Sequence, residues 1–183
     1  MIERFAIWAT PVLGFPLIRR IRRNHGLEHA TIHMLTRRVK NLSMAGRADN
    51  SGFYLYGDVD TDLVWEAATE ALHRMRGGEH RLAVHPNCGT GLVTTSLLTS
   101  SAAVLGLVGA QNRVSDIFNR LPLVMLLSIM ALIVSQPVGL SIQRHITTFG
   151  DPGDLEIVEI NRREGFVPLA GKMMIHRVNT RYG

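Results

Sequence analysis

A single cysteine, Cys88, occurs in 183 residues, so no intrachain disulfide can hold this fold. Aromatic residues reach only 6% and charged residues only 19%, the latter below the roughly 25% of a soluble domain. With 46% hydrophobic residues, the chain is neither a disordered tail nor a charged coiled coil. Charge is missing altogether from two stretches, 89–112 and 121–143, which hold no ionisable side chain. Each exceeds the roughly 20 helical residues needed to cross a bilayer core of about 30 Å. Two such runs are more apolar helix than a small soluble core can enclose. The connector QNRVSDIFNR (111–120) makes them a predicted transmembrane hairpin. Neither run contains a histidine, which excludes a bis-histidine haem inside the bilayer and so argues against a cytochrome-type carrier.

The apolar N-terminal stretch 5–18 is different, because it is short and carries Pro11 and Pro16. Prolines end or kink a helix, so an interfacial or re-entrant anchor is expected instead of a third span. The cluster RRIRR (19–23) follows the apolar stretch instead of preceding it, unlike a signal peptide. It suits phospholipid headgroups, and the absence of interleaved aromatics argues against nucleic acid. The positive-inside rule places it in the cytoplasm of a bacterial inner-membrane protein. Two crossings then return the tail to the same side. The expected fold is therefore membrane α+β: an interfacial anchor (1–23), a cytoplasmic α+β region (24–88), a transmembrane hairpin (89–142) and a cytoplasmic β-rich tail (143–183).

Within the cytoplasmic part, Asn24 is a candidate N-cap for a helix running to about residue 40. Residues 44–56, with the turn Asp49-Asn50-Ser51-Gly52, read as a β-hairpin. Asp58, Asp60 and Asp62 precede LVWEAATEALHRM; they lack the glycine and glutamate spacing of a calcium loop and suit helix capping instead. Gly77-Gly78 ends that helix, and HRLAVH (80–85) reads as a short strand. LEIVEI (155–160) and KMMIHRV (172–178) read as two further strands around a Gly/Pro turn.

Two motifs carry chemistry. In HGLEH (25–29), His25 and His29 are four residues apart and share one helix face, so both can meet one metal ion. Glu28 sits on the adjoining side as a candidate general base able to take a proton from water. His-x-x-Glu-His is the inverted form of the zinc-peptidase helix motif. His33 continues the stripe one turn on and is expected to serve as polar packing or as support for a ligand. In HPNCGTG (85–91), His85 and Cys88 are three apart on a turn fixed by Pro86 and Gly89, and imidazole and thiolate are normal zinc donors. Gln143 and His145 lie where the second span ends. Three distant segments are thus expected to meet at one interfacial metal site.

HGLEHATI, then HPNCGT at the head of a small-residue span, then QRHITT after the second span, resembles the YqhQ-like group of bacterial membrane proteins. Its members carry HGAEHKTI, HPRCGTS and a Gln-Lys-x-Thr-Thr element in that order. A closer likeness is to a related domain-of-unknown-function family of photosynthetic and allied bacteria, in which an SGFYLYGDV-like segment separates the motifs. The resemblance covers roughly residues 24–150. It implies a metal-dependent enzyme with His25, Glu28, His29, His85, Cys88 and Gln143 as functional positions. Leu27, Ala30 and Asn87 depart from the group's pattern, and none of these changes removes a candidate ligand.

Small residues (Gly, Ala, Ser, Thr) fill 14 of the 22 positions from 89 to 110, a face suited to close helix packing. Self-association or docking into a larger membrane complex is expected. Two functions follow: a zinc-dependent hydrolase of peptide or amide bonds, with Glu28 as base, or a non-catalytic accessory or scaffold subunit whose metal site is structural.

Overall fold

The computed structural model describes residues 2–110, 114–167 and 171–183. Residues 111–113 of the connector and the Pro168 end of the expected Gly/Pro turn lie outside the described residues. The chain divides into two compact units, Met1–His85 with Arg144–Gly183, and Pro86–Gln143.

The first unit begins with α1 (Ile2–Trp8), α2 (Thr10–Leu13) and α3 (Pro16–Arg38). The prolines act as expected: Pro11 opens α2 and Pro16 opens α3, where a missing N–H costs nothing. The helix holding HGLEH thus begins at Pro16, not at Asn24. Asn24 is an interior residue, fully buried, whose Nδ2 donates to the Asp49 carbonyl (2.8 Å) while its Oδ1 accepts from Thr180 (2.8 Å). A tertiary tie has replaced the cap. Arg37 and Arg38 sit in the last turn of α3, where the helix dipole favours cations.

Strands β1 (Ala45–Asp49) and β2 (Gly52–Tyr56) form the expected hairpin, with the Ser51 N–H bonded to Asp49 Oδ1. Helix α4 (Thr61–Arg76) is capped by Asp60, which accepts from the Asp62 N–H, and it ends at Gly77. Strands β3 (Glu156–Val167) and β4 (Gly171–Arg181) are longer than expected, and the antiparallel sheet runs β1-β2-β4-β3. The tail is therefore not a separate element, since β4 pairs with β2 and places Phe53 opposite Val178. Helices α3 and α4 pack together, with α3 against β1 and β2 and α4 against β3. Leu27, Leu35, Phe53, Leu55, Val64 and Met75 form the centre of the core.

Residues 80–85 do not form a strand. His80–Ala83 make one 3-10 turn, after which Val84 is extended. The expected partner strand is absent from the sheet, and the carbonyls of Ala83 and Val84 are taken instead by histidine rings of α3. The arginine cluster is also partly internal. Arg20 donates to the Thr180 carbonyl, Arg22 to the His145 and Thr148 carbonyls, and Arg23 to the Asp151 carbonyl. Of the four arginines expected at lipid headgroups, three thus bind backbone carbonyls of the tail, and Arg19 is exposed.

The second unit contains α5 (Gly89–Leu107) and α6 (Val114–Ile142). Both are long and apolar enough to cross a membrane, and only 11% of either segment is buried. A soluble core helix would be mostly covered. Gly106 lies against the Val124 backbone, Gly139 against Gly91, and Thr95 Oγ1 meets Ser135 Oγ at 2.8 Å. Small and hydroxyl side chains thus hold the hairpin together. A π-turn, Gln143–Thr147, follows α6.

Candidate metal centre

Three histidines of α3, His25, His29 and His33, and His85 beyond the 3-10 turn form a run of four in the first unit. His25 and His29 rings meet edge to face with centroids 4.4 Å apart, and their ligand nitrogens lie within 4.8 Å. The His85 ring stands 5.9 Å from that of His29 and 4.8 Å from that of His33. Helical spacing explains the first pair. The 3-10 turn explains the second, because it delivers Ala83, Val84 and His85 in succession along the α3 surface.

Each α3 histidine is aimed by a backbone carbonyl. His25 Nδ1 bonds the Thr147 carbonyl (3.0 Å), His29 Nδ1 the Ala83 carbonyl (2.8 Å) and His33 Nε2 the Val84 carbonyl (2.9 Å). A carbonyl only accepts, so each bonded nitrogen carries the proton. In the neutral ring the lone pair is then on Nε2 of His25 and His29 and on Nδ1 of His33. A backbone carbonyl on the second nitrogen is the usual way a metal-binding imidazole is held in orientation. Burial pushes the His25 pKa down, partly opposed by its bond to Thr147. Burial also lowers that of His85, and the neighbouring His33 lowers it further. Both rings therefore favour the neutral form that ligates metal.

Glu28 is buried, at 3% exposure. Its carboxylate packs against Gly46 of β1, so closely that a Cβ at Gly46 would overlap it. Gly26, inside the motif, plays a similar part. A Cβ there would come 2.7 Å from the Phe149 carbonyl and 3.1 Å from the Ala83 Cβ, so glycine lets both segments approach the helix. Cys88 belongs to the hairpin unit, where it caps α5 by accepting from the Thr90 N–H at 3.4 Å. Gln143, in the same unit, opens the π-turn with its amide near Gly91.

The segment after the second span does reach the histidines, but through the Thr147 carbonyl and not through the His145 side chain. His145 lines a different cavity beside α1 and α2. Sequence reasoning also undervalued His33, whose ring is nearer His85 than that of His29 is. The stripe at 25, 29 and 33 was the signal for it. The carbonyls of Ala83, Val84 and Thr147 leave no side-chain signature to find.

Fold and site define an α+β unit with an oriented histidine cluster, joined in one chain to a hairpin of two membrane-length helices. The chain belongs to the family described as a domain of unknown function, DUF6391, whose pattern matches residues 20–160. It is also 38% identical over 92 residues to an uncharacterized protein of Picosynechococcus sp., a match covering 45% of each chain. The chain thus spans less than half the length of that curated relative. No solved structure matches it.

Proposed function

We propose that the protein is a membrane-embedded, metal-dependent hydrolase of peptide or amide bonds, acting at the cytoplasmic face of a bacterial inner membrane. In this reading His25, His29 and His85 hold zinc or another divalent ion, Cys88 is a fourth ligand or supports them from beside the ion, and Glu28 is the general base. The observation that carries the metal site is the pair of carbonyl-oriented rings, His25 on Thr147 and His29 on Ala83. Cys88 enters through connectivity. It is three residues beyond His85, so the chain keeps their Cα atoms within about 11 Å, and thiolate is a donor that suits zinc. The HGLEH and HPNCGT elements shared with the YqhQ-like group point the same way.

When bound, the ion would polarise the scissile carbonyl and raise the acidity of a water. The chain's own work is orientation and proton transfer. The Thr147 and Ala83 carbonyls fix two imidazoles, burial keeps His25 and His85 neutral, and Glu28 accepts the proton of the attacking water and returns it to the leaving amine.

A second reading is favoured by one observation, the packing of the Glu28 carboxylate against Gly46. This gives the glutamate a structural job. Three histidines and a cysteine would close a tetrahedral shell, leaving an accessory or scaffold subunit pinned by its metal. The Glu28→Gln protein separates the readings. Zinc-loaded wild type and variant, purified in detergent, are compared for metal content and for cleavage of a fluorogenic peptide library. The hydrolase reading expects equal metal in both, cleavage by wild type and loss of cleavage in the variant. Cleavage by neither, or by both equally, overturns it in favour of the accessory role.

A further inference from the structure

A cavity of about 350 Å³ in the first unit is lined by none of His25, His29, His33 and His85, and the proposed hydrolase does not use it. Its wall is mainly apolar, with polar groups on one side. Ala6, Ile7, Leu13 and Phe149 supply the apolar side, and Arg19, Arg22 and His145 the polar one. Arg22 also frames the cavity, donating to the carbonyls of Leu13 (3.3 Å) on one side and of His145 (3.0 Å) and Thr148 (3.1 Å) on the other. Arg19 is exposed and forms no ion pair among the described residues. The elements that build the cavity, α1, α2 and the start of α3, also turn Phe5, Ile7, Trp8, Val12 and Phe15 outward, with Trp8 at 79% exposure. In water such a surface is costly. At a membrane interface, an exposed Trp and Phe beside arginines is the favoured arrangement.

From this arrangement we infer that the cavity is a binding site for one anionic phospholipid. Its phosphate sits between Arg19, Arg22 and the His145 ring, and its acyl chains follow Ile7 and Leu13 out past Trp8. Charge complementarity selects an anionic over a zwitterionic headgroup, because the cavity offers two guanidinium groups against a single carboxylate, that of Glu3. Glu3 opposes an anion and weakens the site.

The two tryptophans are Trp8 and Trp65, so a Trp65→Phe chain reports on Trp8 alone. This chain, purified in detergent, is titrated with short-chain phosphatidylglycerol, short-chain phosphatidylcholine and inorganic phosphate while Trp8 emission is followed. Saturable binding is expected for phosphatidylglycerol, tighter than for phosphatidylcholine, with no response to phosphate alone. Arg19→Ala should weaken phosphatidylglycerol binding about fivefold and narrow the difference between the two lipids, whereas Glu3→Gln should strengthen it. Equal binding of the two lipids, or an unchanged preference in Arg19→Ala, overturns the site. A response to inorganic phosphate equal to that of the lipid would make it an anion site with no lipid specificity and overturns it too. Metal content is read on the same samples and should not change, so failure here is distinguishable from failure of the hydrolase reading.

Discussion

In the α+β unit the fully covered side chains include many large apolar ones, among them Leu27, Leu35, Phe53, Leu55 and Met75. In the hairpin the covered residues include Thr94, Gly106, Ser135 and Gly139, while Leu92, Val93, Leu97, Val104 and Ile133 face outward. One chain therefore contains two opposite packing rules. The first unit gains from removing apolar surface from water. The second gains from close backbone approach and hydroxyl contacts, as helices do when their surroundings are as apolar as they are. The difference teaches where the chemistry can be. All eight histidines belong to the unit that packs like a water-soluble domain, and the charges of the hairpin unit are limited to residues 113–120.

The comparison can be broken most forcefully at its apolar end. Phe53→Ala should destabilise the α+β unit by about 3–5 kcal/mol, the usual cost of emptying a core aromatic site, seen as a large fall in melting temperature. Gly106→Leu tests the hairpin by the opposite rule, since it adds apolar volume where the Val124 backbone leaves none. It should cost about 1–3 kcal/mol and separate the helices in crosslinking between α5 and α6. Unchanged stability and unchanged crosslinking in Gly106→Leu would contradict the close approach of Gly106 to the Val124 backbone.

A pH series sharpens the contrast further. His25 and His85 are held below their ordinary value of 6.5 in the folded chain. As pH falls, the unfolded chain takes up those protons first. The stability is complete above the unfolded value and is lost as pH drops through the window beneath it. Metal-free protein should therefore melt at a constant temperature from about pH 8 to 7 and at progressively lower temperatures below. His25→Ala should flatten part of that decline. The smallest effect is expected at the surface of the α+β unit. Arg38 pairs with Glu66 and Glu70 in exposed positions, and Arg38→Ala should cost under about 1 kcal/mol and less in high salt.

Much of this was legible in the residues alone. Two charge-free runs identified the hairpin helices, the four-residue spacing of His25 and His29 identified the face on which their rings meet, and Asp49 to Gly52 identified the turn between β1 and β2. What failed did so for long-range reasons. Asn24 has the chemistry of a cap, but its amide is occupied by Asp49 and Thr180, partners 25 and 156 positions away. The alternation in HRLAVH suggests a strand, yet its carbonyls are claimed by His29 and His33. RRIRR looks like a headgroup cluster, and three of its arginines turn inward to carbonyls of the tail. Backbone acceptors such as Thr147 have no residue-type signal, so the orientation of the histidines follows from the tertiary fold alone.

Zinc content of the purified chain, wild type beside His29→Ala, tests the metal centre most directly. Both proteins are expressed with zinc, stripped of loosely held ions by dialysis and analysed by mass spectrometry of the metal. The account predicts close to equimolar zinc in the wild type and nearly none in His29→Ala. Equal zinc in the two, or none in either, would contradict it.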